Sequence, residues 1–154
     1  MKKYILTILF CTLTFFSFSQ SSNWKLIDVE KTNFSNTSLK LRKTVPTNFK
    51  VYKLATQKLK KELSVAKANE LILIELPTPD GVQSFSLKKA SSLSEELTQK
   101  FPMIASYVAK GVDNPSAVAR ISFGTDGFHG VIFYGDKPSF YIDPYTKNND
   151  YYIA

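Results

Sequence analysis

A chain of 154 residues in which 14% are aromatic is long enough for a single domain with one well-supplied core. Its lone histidine excludes a two-histidine zinc site built within the chain, and its lone cysteine, Cys11, excludes an internal disulfide. The net charge of +7 invites a nucleic-acid reading, so the placement of the charges has to be weighed before the total.

The first twenty residues carry their own signature. Lys2 and Lys3 precede an apolar run from Tyr4 to Phe18, with small residues at Ser17 and Ser19. This is the pattern of an export signal cleaved after Ser19 or after Gln20, and it places the mature protein in the periplasm, on the cell surface or in the medium. An apolar run of about fifteen residues falls short of the roughly twenty that cross a bilayer, so membrane contact is expected only in transit. Bulky Phe10 before Cys11 opposes a lipoprotein signal. Cleavage removes Cys11, Lys2 and Lys3, leaving a chain of net charge +5 with no thiolate to act as nucleophile or zinc ligand.

Residues 21–48 read as a polar strand or loop segment, with the Ser/Asn/Thr-rich stretch from Thr32 to Ser38 as loop. Asn33-Phe34-Ser35 and Asn36-Thr37-Ser38 match the N-glycosylation pattern, a three-residue match that is common by chance. Residues 49–154 form the expected domain. Phe49–Leu54 suits a half-exposed strand and leads into a helix over 55–68, with Ala55, Leu59, Leu63 and Ala66 on one face and a stop at Asn69. Lys58, Lys60 and Lys61 then lie on the wet face of that helix. Neither they nor Lys40, Arg42 and Lys43 are interleaved with aromatics as a single-strand platform requires, so no nucleic-acid partner is expected.

Leu71–Leu76 is a short apolar run bounded by Pro77, Pro79 and Gly81, which predicts a buried strand. Phe85 and Leu87 alternate with Ser84, Ser86 and Lys88 and complete a hairpin. Ser92 and Glu95 have capping-box spacing for a helix from Leu93 to about Lys100, ended by Pro102. Ala117, Ala119, Ile121 and Phe123 occupy one face of a strand; after the Gly124–Gly127 turn, Phe128–Tyr134 returns, Ser139–Ile142 follows, and Tyr151–Ile153 adds a fourth. The expected fold class is α+β: a mainly antiparallel sheet, built from a hairpin and a C-terminal meander, with two short helices packed on it.

No His-Glu-x-x-His, Gly-x-Ser-x-Gly or phosphate-binding glycine loop is present. Glu95-Glu96 falls in a first helical turn, where negative charge complements the helix dipole without any catalysis. No catalytic residue is therefore assigned and the chain is not read as an enzyme.

Four sequence elements recur in a known order: Pro79-Asp80-Gly81 after an apolar strand, Phe101-Pro102 after a short helix, Gly111-Val112-Asp113-Asn114-Pro115 before a hairpin, and Ile142-Asp143-Pro144-Tyr145 near the end. In these, and in Gly127-Phe128-His129-Gly130, the chain resembles the N-terminal propeptide domain of reprolysin-like secreted zinc metalloproteases of the Bacteroidetes type. The match is close over the last half of the chain and follows only the order of elements in the first. The resemblance implies a domain that binds a secreted zinc metalloprotease catalytic domain, in cis or in trans, and keeps it latent or assists its folding. It implies no cofactor in this chain, the zinc belonging to the partner.

Under that resemblance His129 either approaches the partner's zinc as an inhibitory plug or serves as a locally bonded strand residue. Asp113 and Asp126 either ligate an outside cation or shape their turns, and Asn114 departs from the family's second aspartate. Tyr141, Tyr145, Tyr151 and Tyr152 either supply an interaction surface or pack the sheet. The chain stops where the family's catalytic domain begins, which fits a truncated metalloprotease precursor or an independent module. The alternative function is a free-standing secreted or envelope module that binds protein or carbohydrate.

Overall fold

Alternation of apolar and polar side chains along nearly every segment of the second half predicts strands with one face on a core, and the described residues of the whole chain form nine strands. A computed structural model describes residues 22–32, 34, 38–39, 46–64, 70–90, 95–101 and 104–154. The expected export signal with its Ser19/Gln20 cleavage position, the Lys40-Arg42-Lys43 cluster, the helix end expected near Asn69, the expected Ser92 cap and Pro102 lie outside those residues.

The strands are β1 (Trp24–Ile27), β2 (Val51–Leu54), β3 (Ile72–Thr78), β4 (Gly81–Lys89), β5 (Ala105–Gly111), β6 (Val118–Gly124), β7 (Gly127–Phe133), β8 (Phe140–Pro144) and β9 (Tyr151–Ile153). They make one sheet in the order β1-β2-β9-β8-β7-β6-β5-β4-β3, antiparallel throughout. From β3 to β9 the chain is an unbroken meander, so the hairpin and the C-terminal meander expected as separate pieces are one continuous ribbon. The N-terminal segment belongs to it as well: β1 pairs with β2, Trp24 opposite Leu54, and β2 pairs with β9, Tyr52 opposite Tyr152.

The sheet curls into a nearly closed barrel. Nine strands alternating in direction leave β1 and β3 pointing the same way, so antiparallel pairing cannot complete the ring. Among the described residues no ladder joins these two edges; the Trp24 indole N–H donates to the Glu75 carbonyl at 2.8 Å across the gap. Inside, Trp24 meets Tyr52, Phe128 and Tyr152 edge-on at 6.4, 5.3 and 5.5 Å between ring centroids, geometry that aromatic quadrupoles favour. Leu76, Phe85, Leu87, Ile132 and Ile142 fill the remainder, all fully buried.

Helix α1 (Thr56–Ser64) inserts Leu59 and Leu63 into this core, as the 3.6-residue spacing predicts. The second helix departs from expectation. Among the described residues helix α2 covers Glu95–Lys100, with Glu96, Leu97, Gln99 and Lys100 exposed, so there one helix is packed on the sheet, not two. Glu96, Gln99 and Lys100 are polar and Leu97 is 42% exposed, so these positions offer no apolar stripe to bury. The Leu71–Leu76 run is likewise buried on one face only. Ile74 and Leu76 point inward, while Leu71 and Leu73 remain 68% and 71% exposed, because an antiparallel barrel strand has one wet side.

Val51 and Ile153 are buried on the outer side of β2 and β9, apart from the main core, and a second, smaller aromatic cluster forms around Tyr151. There Phe34 packs edge-on against Tyr145 and Tyr151 at 5.4 and 5.0 Å, and Phe49 lies 6.0 Å from Tyr145.

Candidate functional site

The inward turn of Phe128, Gly130 and Ile132 places His129 on the outer wall of β7. Its Nδ1 lies 2.9 Å from Asp143 Oδ1 on β8, and its Nε2 lies 2.9 Å from Asp126 Oδ2 in the β6–β7 turn. A neutral imidazole donates from one nitrogen only, so two carboxylate partners favour the imidazolium. The hydrogen bond to Asp143 raises the His129 pKa above its ordinary value of 6.5, burial opposes the shift, and Asp126 adds to it. In this arrangement neither nitrogen presents a lone pair to a metal. An inhibitory plug built on His129 would have to lose a proton and break both bonds.

Asp126 thus joins His129, and Asp113 does not. Asp113 precedes β6 and Asp126 follows it, at opposite ends of a seven-residue strand that spans about 20 Å. The turn around Asp113 is built by its neighbours. Asn114 Oδ1 accepts the Ser116 N–H at 3.1 Å, the Asn114 carbonyl accepts the Ala117 N–H at 3.0 Å, and a Cβ on Gly111 would stand 2.3 Å from that carbonyl oxygen. Gly127, at φ +118°, allows the Asp126 turn to close against the side chain of Asn149.

The four tyrosines separate. Tyr141 is 62% exposed on the outer wall. Tyr145 and Tyr151 are half-buried against Phe34. Tyr152 is fully buried on the inner face, where its hydroxyl accepts the Phe128 N–H at 3.3 Å, and this removes it from any interaction surface. The alternation of β9 placed Tyr152 opposite Tyr151 in facing, a distinction that composition does not carry.

Sequence reasoning passed over two residues of this wall. Asp143, quoted only as part of a turn-like motif, stands two residues from Tyr141 on the same face of β8 and holds His129. Arg120, on β6, faces Val131 across the ladder and borders a shallow groove of about 320 Å³ that also includes Ser122, His129, Tyr141 and Asp143. Strand parity, legible within each segment, puts both residues on the outer face; the register that brings them beside His129 is not legible there.

Among the described residues no group of three or more His, Cys, Asp and Glu side chains is placed to hold a metal ion, and no helix is long and apolar enough to cross a membrane. Comparison with protein-family models, with curated proteins and with solved structures finds no match to this chain.

Proposed function

We propose that this chain is an exported binding module of the propeptide type, which covers the catalytic cleft of a secreted zinc metalloprotease and holds the enzyme latent or assists its folding. The observation that supports this most is the filled barrel. Tyr152, Phe85, Phe128, Leu76, Leu87, Ile132 and Ile142 occupy the interior at under 2% exposure, so the barrel's own side chains take the space in which small barrels hold a ligand. Function then belongs to the outer surface, and a folded cover needs about 800 Å² of it. The resemblance in the Pro79-Asp80-Gly81, Gly111–Pro115 and Ile142–Tyr145 elements names the enzyme class.

A second reading, a free-standing module for carbohydrate or protein, draws on the open ring of Tyr141, since exposed aromatic faces stack on sugars and anchor interfaces. Co-refolding separates the two. Signal-free protein added to a denatured reprolysin-like catalytic domain is expected to raise the yield of soluble, latent enzyme at equimolar ratio. Unchanged yield together with binding to a glycan array would transfer the assignment to the second reading.

A further inference from the structure

Strand register aligns the outward side chains of β3 to β8 in straight rows, and two adjacent rows lie next to the Ser106, Ser122, His129 row. One row runs Leu73, Ser86, Lys110, Val118, Phe133, each opposite the next on the neighbouring strand. The other runs Lys88, Val108, Arg120, Val131, Tyr141. Seven of these residues are exposed and either large and apolar or cationic: Leu73, Val118, Phe133 and Tyr141, with Lys88, Lys110 and Arg120. Leu73 is 71% exposed, Phe133 46% and Tyr141 62%, while Lys110 and Arg120 stand open between them.

The pattern interleaves three cations with apolar side chains: Val108 lies between Lys88 and Arg120, Val118 stands opposite Lys110, and Leu73, Phe133 and Tyr141 stand at the margins. The neighbouring acids offset it only in part: Asp126, in the β6–β7 turn, and Asp143, on β8, share the one His129 imidazolium, which leaves one negative charge against three cations. Six strands at about 4.8 Å spacing make the pattern roughly 24 Å wide, the scale of one side of a standard protein interface. The wall is convex, being the outside of a curled sheet.

We propose that this two-row wall is a docking face for a concave protein surface that presents carboxylates between apolar side chains. The inference rests on the propeptide reading, under which that surface belongs to the metalloprotease catalytic domain. Charge complementarity fixes the central contacts, with Lys110 and Arg120 meeting acids. Phe133 and Tyr141 anchor one margin by apolar burial. A lipid surface fits this layout less well, since membrane-binding faces put apolar side chains at the centre of contact and cations around them. Here cations and apolar side chains alternate, Lys88, Val108, Arg120 and Val131 in one row and Lys110 beside Val118 in the other.

The test measures binding of a reprolysin-like zinc metalloprotease catalytic domain to the signal-free wild type, to K110E/R120E, to F133S/Y141S and to a K58E/K61E control on α1. Lys110 and Arg120 are exposed, so the charge-reversed variant is expected to keep the wild-type circular dichroism and melting midpoint. The expected result is wild-type binding that weakens as NaCl rises, a loss of about 10-fold or more in each wall variant, and no change in the α1 control. Wild-type affinity in both wall variants overturns the docking face while leaving the propeptide reading intact. No wild-type binding overturns both. Binding of the wild type to vesicles containing anionic phosphatidylglycerol, lost in K110E/R120E and unaccompanied by protease binding, overturns the protein partner in favour of a membrane.

Discussion

Replacing Trp24 with Phe tests whether the barrel is held at its seam by a side chain in place of a strand ladder. The substitution removes the 2.8 Å hydrogen bond to the Glu75 carbonyl, and a part-buried acceptor left without its donor costs about 1–3 kcal/mol. The smaller ring also withdraws apolar area from a site that is 3% exposed, worth roughly 2 kcal/mol at about 0.8 kcal/mol per buried methylene. Together the loss is about 3–5 kcal/mol, a large share of the stability of a domain this size. Trp24 is the sole tryptophan, so urea unfolding has to be followed by far-ultraviolet circular dichroism and not by indole fluorescence. Phe128→Leu, which thins the same aromatic cluster without touching the seam, serves as the control. Native-state hydrogen exchange should show β1 and β3 amides opening selectively in the Trp24 variant. A loss below about 0.5 kcal/mol, or exchange that rises evenly through the sheet, would refute the reasoning.

Three further outcomes are expected. Gly111→Ala should lower the urea midpoint by the equivalent of about 1–3 kcal/mol, because its new Cβ meets the Asn114 carbonyl at 2.3 Å, whereas Gly135→Ala, with open space around it, should change little. Tyr152→Phe should cost about 1–3 kcal/mol by stranding the buried Phe128 N–H, measured by the same unfolding experiment. His129 carries a raised pKa, so its ion pairs contribute fully below its unfolded value of about 6.5 and fade as the pH rises through the folded value. Wild type should therefore exceed His129→Gln in stability near pH 6, by under about 1 kcal/mol given a side chain that is 36% exposed, and lose that margin at alkaline pH. An imidazole that titrates by NMR at or below 6.5 would contradict the pairing.

The meander from Ala117 to Ile142 is legible in the sequence because Ala119, Ile121 and Phe123, then Phe128 and Ile132, keep a strict period of two between glycine turns. Strand β5 is not legible, since its inward positions are Ala105, Tyr107, Ala109 and Gly111, and small residues blur the alternation against Val108 on the outside. The role of Trp24 is hidden for a different reason. A four-residue strand in polar surroundings carries almost no pattern, and its place in the barrel depends on the pairing of β2 with β9, about a hundred residues later. The candidate site divides the same way. His129 and Asp126 are three residues apart across a tight turn and can be linked from sequence, whereas Asp143 reaches His129 only through the β7–β8 register. The grouping of Lys88, Lys110 and Arg120 is a register effect throughout: three charges on three strands, invisible until the ladders are aligned.

The filled barrel, on the proposed reading, acts by covering a metalloprotease through its outer wall. Titrating signal-free protein into an active reprolysin-like catalytic domain tests it most directly. Peptide hydrolysis should fall to a plateau at one equivalent, with no turnover by the added protein itself. Undiminished hydrolysis at excess added protein, or turnover in its absence of partner, would contradict the claim.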